Sequence, residues 1–185
     1  MKKKEPKLVK VNLACGQTKE EGWIGVDYVK AKGVDIVHDL TKYPWPFKDN
    51  SVDEVFVSHY IEHIPYDVKY KGKVIDGLIA FMNELYRILK PGGKAMIIAP
   101  WYNSVRCWQD PTHRRAISDA TFLYFNKGWR EANKLDHYHI TTDFDFAPSY
   151  VINQPFNMKA EEARTFACMH YTNVVSDIQV ILTKK

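Results

Sequence analysis

Val9-Lys10-Val11-Asn12-Leu13-Ala14-Cys15-Gly16-Gln17-Thr18-Lys19-Glu20-Glu21-Gly22-Trp23-Ile24-Gly25-Val26-Asp27 divides into a buried strand, a small-residue turn, a very short connection and a second strand that ends on a carboxylate. A turn of small residues after a strand lets a ligand approach the backbone. An acid at the tip of the next strand can take both hydroxyls of a ribose. A full dinucleotide fingerprint has three glycines opening a helix, with its acid about 20 residues further on. Here Gly16 stands alone in the turn, Asp27 follows sooner, and little room remains for a helix. The stretch predicts an abbreviated nucleoside site, with Ala14, Cys15 and Gly16 in the turn and Asp27 on the ribose. The plain alternative is an ordinary glycine turn and an aspartate that opens a loop.

Working outward, residues 8–14 and 23–27 read as the first two strands and residues 34–38 as a third, followed by Asp39-Leu40. Tyr43-Pro44-Trp45-Pro46-Phe47 cannot be regular helix, because two prolines fix the backbone and remove donors. Residues 55–57 form a fourth strand running into Ser58-His59. Leu78, Phe81, Met82, Leu85, Ile88 and Leu89 recur at helical spacing, and Pro91-Gly92-Gly93 supplies a stop. The apolar run at residues 95–99 predicts a central strand covered on both faces. Residues 117–125 are expected to include a short helix opened by Ser118 and Asp119, with Phe122 and Phe125 inward. Residues 143–151 and 177–182 are two further strands. His137 and His139 alternate with Tyr138 and would share one side of a strand, solvent being their default surroundings. This alternation predicts an α/β fold, a parallel sheet with an antiparallel edge. In such a sheet ligands bind beyond the carboxyl ends of the strands, where Gly16, Asp27, Asp39, His59 and Trp101 all fall.

The chain has 185 residues, enough for one domain spanning residues 1–185 with a sizeable core. Hydrophobic content of 45% with 26% charged residues indicates neither disorder nor a membrane span. Three scattered cysteines, Cys15, Cys107 and Cys168, argue against a disulfide framework and for a reducing, cytoplasmic setting. The basic residues Lys2, Lys3 and Lys4 lack the apolar stretch of a signal peptide, so export is not expected. A net charge of +4, much of it at the termini, reads as solubility and does not indicate nucleic acid.

Gly22-Trp23-Ile24-Gly25-Val26-Asp27, Val34-Asp35-Ile36-Val37-His38-Asp39-Leu40, Pro46-Phe47-Lys48-Asp49-Asn50-Ser51-Val52-Asp53, Ser58-His59-Tyr60-Ile61-Glu62-His63-Ile64 and Glu84-Leu85-Tyr86-Arg87-Ile88-Leu89-Lys90-Pro91-Gly92-Gly93 occur in that order. Through them the chain resembles the class I S-adenosylmethionine-dependent methyltransferases over roughly residues 9–101. It looks most like a small subgroup whose first connection is shortened to this Gly-Trp-Ile-x-Val-Asp junction. The resemblance implies a doubly wound, Rossmann-like sheet ordered 3-2-1-4-5-7-6 with the seventh strand antiparallel. It also implies an enzyme whose cofactor is S-adenosyl-L-methionine. By position, Ala14, Cys15 and Gly16 would pass under the methionine portion and Asp27 would hold the ribose. Asp39 and Leu40 would contact adenine, and Ser58 and His59 would line the methyl-donor side. Tyr28, Tyr60 and Trp101 are candidate aromatic walls for a cationic sulfonium.

Residues 101–115 are too polar and aromatic for a simple connector. They are expected to cover an acceptor pocket in which Trp101, Tyr102, Trp108 and Arg114 bind a small polar or anionic molecule. His113 is the expected proton acceptor there, with His59 as a second catalytic candidate. A structural loop with an Asp-Pro turn is the alternative reading. Two rivals to a methyltransferase remain. One is a non-catalytic cofactor-binding module of the same fold. The other is a zinc hydrolase, because His59-Tyr60-Ile61-Glu62-His63 matches an inverted His-x-x-Glu-His motif. No metal is expected, since His59 ends a strand while Glu62 lies in the following turn, so their side chains need not converge. The acceptor atom and the oligomeric state stay open.

Overall fold

The computed structural model describes residues 8–185, so the basic run at residues 2–4 lies outside the described residues. In chain order the elements are β1 (Lys10–Leu13), β2 (Ile24–Asp27), β3 (Ile36–Val37), β4 (Val52–Ser58), β5 (Asp67–Tyr70), β6 (Lys73–Asp76) and α1 (Gly77–Ile88). After them come β7 (Leu89–Pro100), α2 (Val105–Trp108), α3 (Asp119–Leu123), α4 (Lys127–Ala132), β8 (Phe144–Ile152), α5 (Glu161–His170) and β9 (Val175–Lys184). Seven strands form one sheet in the order β3-β2-β1-β4-β7-β9-β8. The hairpin β5–β6 stands apart as a two-stranded sheet, and with it set aside the order is the expected 3-2-1-4-5-7-6. The strands from β3 to β7 in that order pair in parallel, while β9 is antiparallel to both β7 and β8.

Alternation within the strands decides what they bury. Val11 and Leu13 of β1, Val55 and Val57 of β4, and Ala95, Ile97 and Ala99 of β7 are buried against Phe81, Met82, Leu85 and Ile88 of α1. Full burial of each large side chain contributes about 1.5–3 kcal/mol. The opposite face is barer than the run at residues 95–99 predicts. Met96 and Ile98 are only half-buried and Ile181 is exposed. Residues 14–23 contain turns and no helix, and over this face Trp23 meets Phe56 edge-on at 6.4 Å. A connection that short has no helix with which to cover the second face.

Helix α1 begins where Asp76 accepts hydrogen bonds from the Leu78 and Ile79 amides at 2.8 and 3.2 Å. It ends at Ile88, before the expected stop at Pro91, because Lys90 precedes a proline and is steered out of helical geometry. Lys184, at the end of β9, donates to the Tyr86 and Leu89 carbonyls at 2.6 and 2.9 Å and so satisfies acceptors at that helix end. Helix α3 is opened by Ser118 and Asp119 as expected, the Ser118 amide donating to the Thr121 hydroxyl at 3.2 Å, and Phe122 and Phe125 are buried. His137 and His139 lie in an exposed turn, facing solvent as their default reading has it, and no strand forms there.

The proline-rich loop is anchored to α1 through a buried ion pair. The Trp45 amide donates to Glu84 Oε1 at 2.6 Å, Arg87 bonds the same carboxylate at 2.6 Å, and Arg87 also donates to the Phe47 and Trp45 carbonyls. With the indole buried and its Nε1 donating to the Leu40 carbonyl at 3.0 Å, this loop seals one end of the core. Glu84 is 1% exposed, so stranding its charge is costly. Arg87→Met is expected to destabilise the protein by about 3–5 kcal/mol in urea unfolding. A loss below about 1 kcal/mol would place the pair in the class of surface ion pairs and refute the anchoring role.

Candidate active site

The turn after β1 places Ala14 and Gly16 in left-handed geometry, with φ of 54° and 57°. The Gly16 amide donates to Asp27 Oδ2 at 2.8 Å, and the Tyr28 amide donates to Asp27 Oδ1 at 2.8 Å. The carboxylate is therefore fixed at the tip of β2 by backbone from two elements. Gly25 is required just before it, since a Cβ there would collide with the Gly33 carbonyl oxygen. Asp39 is held by the Thr41 amide at 2.9 Å and hydroxyl at 2.7 Å. Burial opposes its charge, but the Thr41 hydrogen bonds outweigh that and leave its carboxyl below the usual range.

A cavity of about 290 Å³ opens beyond these strand ends, lined by Ala14, Asp27, Tyr28, Asp39, Leu40 and Tyr60 among others. Five of the expected cofactor residues thus meet in one cavity. Cys15, Gly16, Ser58 and His59 do not line it. Cys15 turns inward, buried, with its Sγ 3.9 Å from the Gly33 carbonyl oxygen. Burial, reinforced by Asp27, pushes its thiol up. Burial likewise pushes the Tyr60 phenol up, with Asp39 and Asp27 adding to the effect, so this wall of the cavity stays protonated. His38, Thr41, His63 and Pro65 also line the cavity. His38 and Thr41 flank the recognised Asp39-Leu40 pair, and that adjacency was the signal for them.

A larger cleft of about 850 Å³ lies at the same end of the sheet, between the end of β7 and the β8–α5 region. Trp101 and Tyr102 line it, as expected for acceptor-side residues. Trp108 is exposed and Arg114 is not among the lining residues. The Arg114 amide instead donates to the Glu62 carbonyl at 2.7 Å, tying the 101–115 segment to the turn after β4. Arg115 has a structural role, pairing with Asp76 at 3.0 Å and donating to the Ile64 carbonyl at 3.1 Å. Tyr150, Asn157, Arg164 and Cys168 from β8, the turn after it and α5 also line the cleft, with Asp119 of α3 and Val175 of β9. The Tyr150 hydroxyl donates to Asp119 Oδ2 at 2.9 Å, and burial together with that bond pushes its pKa up to about 12.

At the same edge of the sheet His59, Glu62, His63, His113 and Asp177 form a cluster of imidazoles and carboxylates. His59 follows β4 in left-handed geometry, φ 51°, with its amide bonded to the Ile98 carbonyl at 2.9 Å. Its Nδ1 lies 3.4 Å from Glu62 Oε1 and its Nε2 lies 3.9 Å from Asp177 Oδ1. His63, next to Glu62, reaches the smaller cavity, and Val175, two residues before Asp177, reaches the larger one. His113 stands behind, with its Nδ1 2.9 Å from the Cys107 carbonyl oxygen and its Nε2 4.0 Å from Glu62 Oε1. Its side chain is 8% exposed, against 37% for His59. Residues 61–63 form one 3₁₀ turn, not the α-helix of a zinc motif. The expectation that His59 and Glu62 would fail to converge is nevertheless overturned, because the left-handed bend at His59 folds its ring back over that turn. Glu62, Asp177 and their partners were missed as a unit because residues far apart in the chain supply them.

A family model described as a methyltransferase domain matches residues 11–97. Among solved structures, a SAM-dependent methyltransferase from Archaeoglobus fulgidus is 19% identical, with a TM-score of 0.61 over 96% of this chain and 86% of that one. An S-adenosylmethionine-dependent methyltransferase from Mesorhizobium loti is 12% identical, with a TM-score of 0.53 over 97% of this chain and 93% of that one. No curated protein matches the sequence. Among the described residues, no helix is long and apolar enough to cross a membrane. Residues 11–97 thus match a methyltransferase domain, and the chain shares the fold of these S-adenosylmethionine-dependent methyltransferases.

Proposed function

We propose that the protein methylates a small polar or anionic acceptor held in the cleft walled by Trp101, Tyr102 and Arg164. The observation that carries this reading is the cavity that Asp27, Asp39 and Leu40 border beyond the strand ends, with the aromatic cleft at the same end of the sheet and His59 at the end of β4 with a buried carboxylate facing each ring nitrogen. The smaller cavity, at about 290 Å³, is at the lower end of the roughly 300–1,000 Å³ usual for ligand sites and suits a nucleoside. Asp27 would hold the ribose, Asp39 and Leu40 the adenine, and Ala14 would allow close approach of the chain. Bound there, S-adenosylmethionine supplies an electrophilic methyl group.

The residues around it then have three tasks. Trp101, Tyr102 and Tyr150 exclude water and orient a planar or anionic acceptor, for which Arg164 supplies positive charge. His59 takes the proton of an acceptor hydroxyl or amine. Asp177, held by Arg106 at 3.1 Å and by the Ser176 hydroxyl at 2.9 Å, orients the His59 ring with Glu62. We assign the proton to His59 in preference to His113 because its side chain is 37% exposed against 8% for His113. The free state of Cys15, Cys107 and Cys168 is in keeping with a reducing, cytoplasmic setting. We read residues 1–185 as one domain of this kind.

Two measurements test the reading. S-adenosylhomocysteine should raise the melting temperature of the protein, and Asp27→Asn should weaken its binding by roughly 1.5–3 kcal/mol in calorimetry without unfolding the chain. Equal affinity for the variant would put the ribose elsewhere. His59→Gln should lower kcat by roughly 10²–10⁴-fold with S-adenosylhomocysteine affinity preserved. Full turnover in that variant would show that alignment alone drives the transfer.

A further inference from the structure

Glu62 is 1% exposed, and neither of its carboxylate oxygens receives a hydrogen bond. A buried charge without donors is costly and calls for a cation. The ligand atoms of Glu62, His63 and His113 all lie within 4.8 Å of one another. We infer that Glu62, His63 and His113 form a binding site for a divalent transition cation of the zinc type, beside the nucleoside cavity.

The tautomers of both histidines favour this. The Nδ1 of His113 faces the Cys107 carbonyl oxygen at 2.9 Å, an acceptor only, so Nδ1 carries the proton and Nε2 presents its lone pair. The Nδ1 of His63 faces Thr112 Oγ1 at 2.9 Å, while the Thr112 hydroxyl donates to Asp110 Oδ1 at 2.7 Å. The hydroxyl hydrogen is therefore spent, His63 Nδ1 is the donor, and its Nε2 is free. Each imidazole thus has an outer partner that fixes ring and tautomer, as metal-ligating histidines commonly do. The Asp110 carboxylate is itself held by the Thr112 amide at 2.8 Å, which makes His63–Thr112–Asp110 a supported chain.

Two neutral imidazoles and one carboxylate suit zinc or a neighbouring first-row cation better than magnesium or calcium, which prefer oxygen. Metal–ligand bonds near 2.0–2.1 Å require tetrahedral ligand atoms to stand about 3.4 Å apart. The three side chains would close by less than about 1.5 Å on a backbone already tied by the Arg114 amide to the Glu62 carbonyl. Three protein ligands leave a fourth position open. His63 borders the nucleoside cavity, so that position is open to water or to an oxygen of a nucleoside bound there. This last consequence rests on the methyl-transfer reading, whereas binding of the cation does not. His59, outside the three ligands, keeps its separate role.

The test uses the full chain without a histidine tag, loaded with zinc chloride or cobalt chloride and desalted, with retained metal measured by mass spectrometry and affinity by chelator competition. One equivalent should be retained, and cobalt should give the visible bands of a low-coordinate nitrogen and oxygen site. Glu62→Gln and His113→Asn should each weaken binding by roughly 100-fold or more, and Thr112→Val, which removes no ligand, by roughly 10–100-fold. The threonine variant carries the test should either ligand variant fail to fold. Substoichiometric metal, or retention undiminished in the folded variants, would overturn the site. Metal retention without S-adenosylhomocysteine binding would uphold the site while sinking the methyl-transfer reading. The reverse pattern would do the opposite.

Discussion

The Asp27 carboxylate ties the end of the second strand to the turn after the first, and the working edge of the sheet is organised by that tie. Parallel neighbours are ordinarily joined by a crossover of a dozen or more residues containing a helix, and residues 14–23 make the join with turns alone. The chain leaves β1 through two left-handed residues, Ala14 and Gly16, and the Gly16 amide closes on Asp27. Gly25 lets the 33–35 backbone come close enough for the Asp35 amide to bond the Gly25 carbonyl at 2.9 Å, which positions β3 and through it Asp39. A single acid thus serves both as a fastener for the turn and as the wall of a nucleoside-sized cavity. The same brevity leaves Phe56, Met96 and Ile181 thinly covered on the far face.

What could be read from the chain beforehand divides along the range of the interactions. Strand positions and α1 followed from local periodicity, since Val11, Leu13, Val55, Val57, Phe81 and Leu85 sit at the spacing their burial demands. The hairpin β5–β6 escaped notice because its turn has Lys71 in left-handed geometry at φ 48° ahead of Gly72, where asparagine or aspartate is the usual signal. Helix α5 was missed because only Ala167 on it is buried, so it has almost no apolar stripe to detect. For the site, the cavity residues Asp27, Asp39 and Leu40 were legible because Asp27 closes β2 and Asp39-Leu40 follow β3. The convergence of His113 on Glu62 and of Asp177 on His59 is a product of tertiary folding that no spacing encodes.

Two buried glutamates make an instructive contrast. Glu84 and Glu62 are each 1% exposed. Glu84 meets the Arg87 guanidinium and the Trp45 amide, so its charge is satisfied and its work is to hold a loop on a helix. Glu62 meets only imidazoles, at 3.4 and 4.0 Å, with no donor within hydrogen-bond geometry. Asp177 is intermediate, with one oxygen held by Ser176 and Arg106 and the other turned toward His59 without a donor. Stability alone would favour replacing such groups by apolar ones. Both Glu62 and Asp177 stand at the edge formed by the carboxyl ends of the parallel strands, where ligands bind in this architecture.

Backbone geometry supports the same division. His59 adopts φ 51°, a region that costs a non-glycine residue of the order of 1–3 kcal/mol. The cost is borne because the His59 amide stays paired with the Ile98 carbonyl while the bend swings the ring over Glu62 toward Asp177. An unstrained extended residue at that point would carry the side chain on along the strand direction and away from both carboxylates. The left-handed bend converts the end of a parallel strand into a point where an imidazole faces two acids. The tie at Asp27 fixes the cavity beside it in the same way, and in both places left-handed backbone is exchanged for orientation at the carboxyl edge of the sheet.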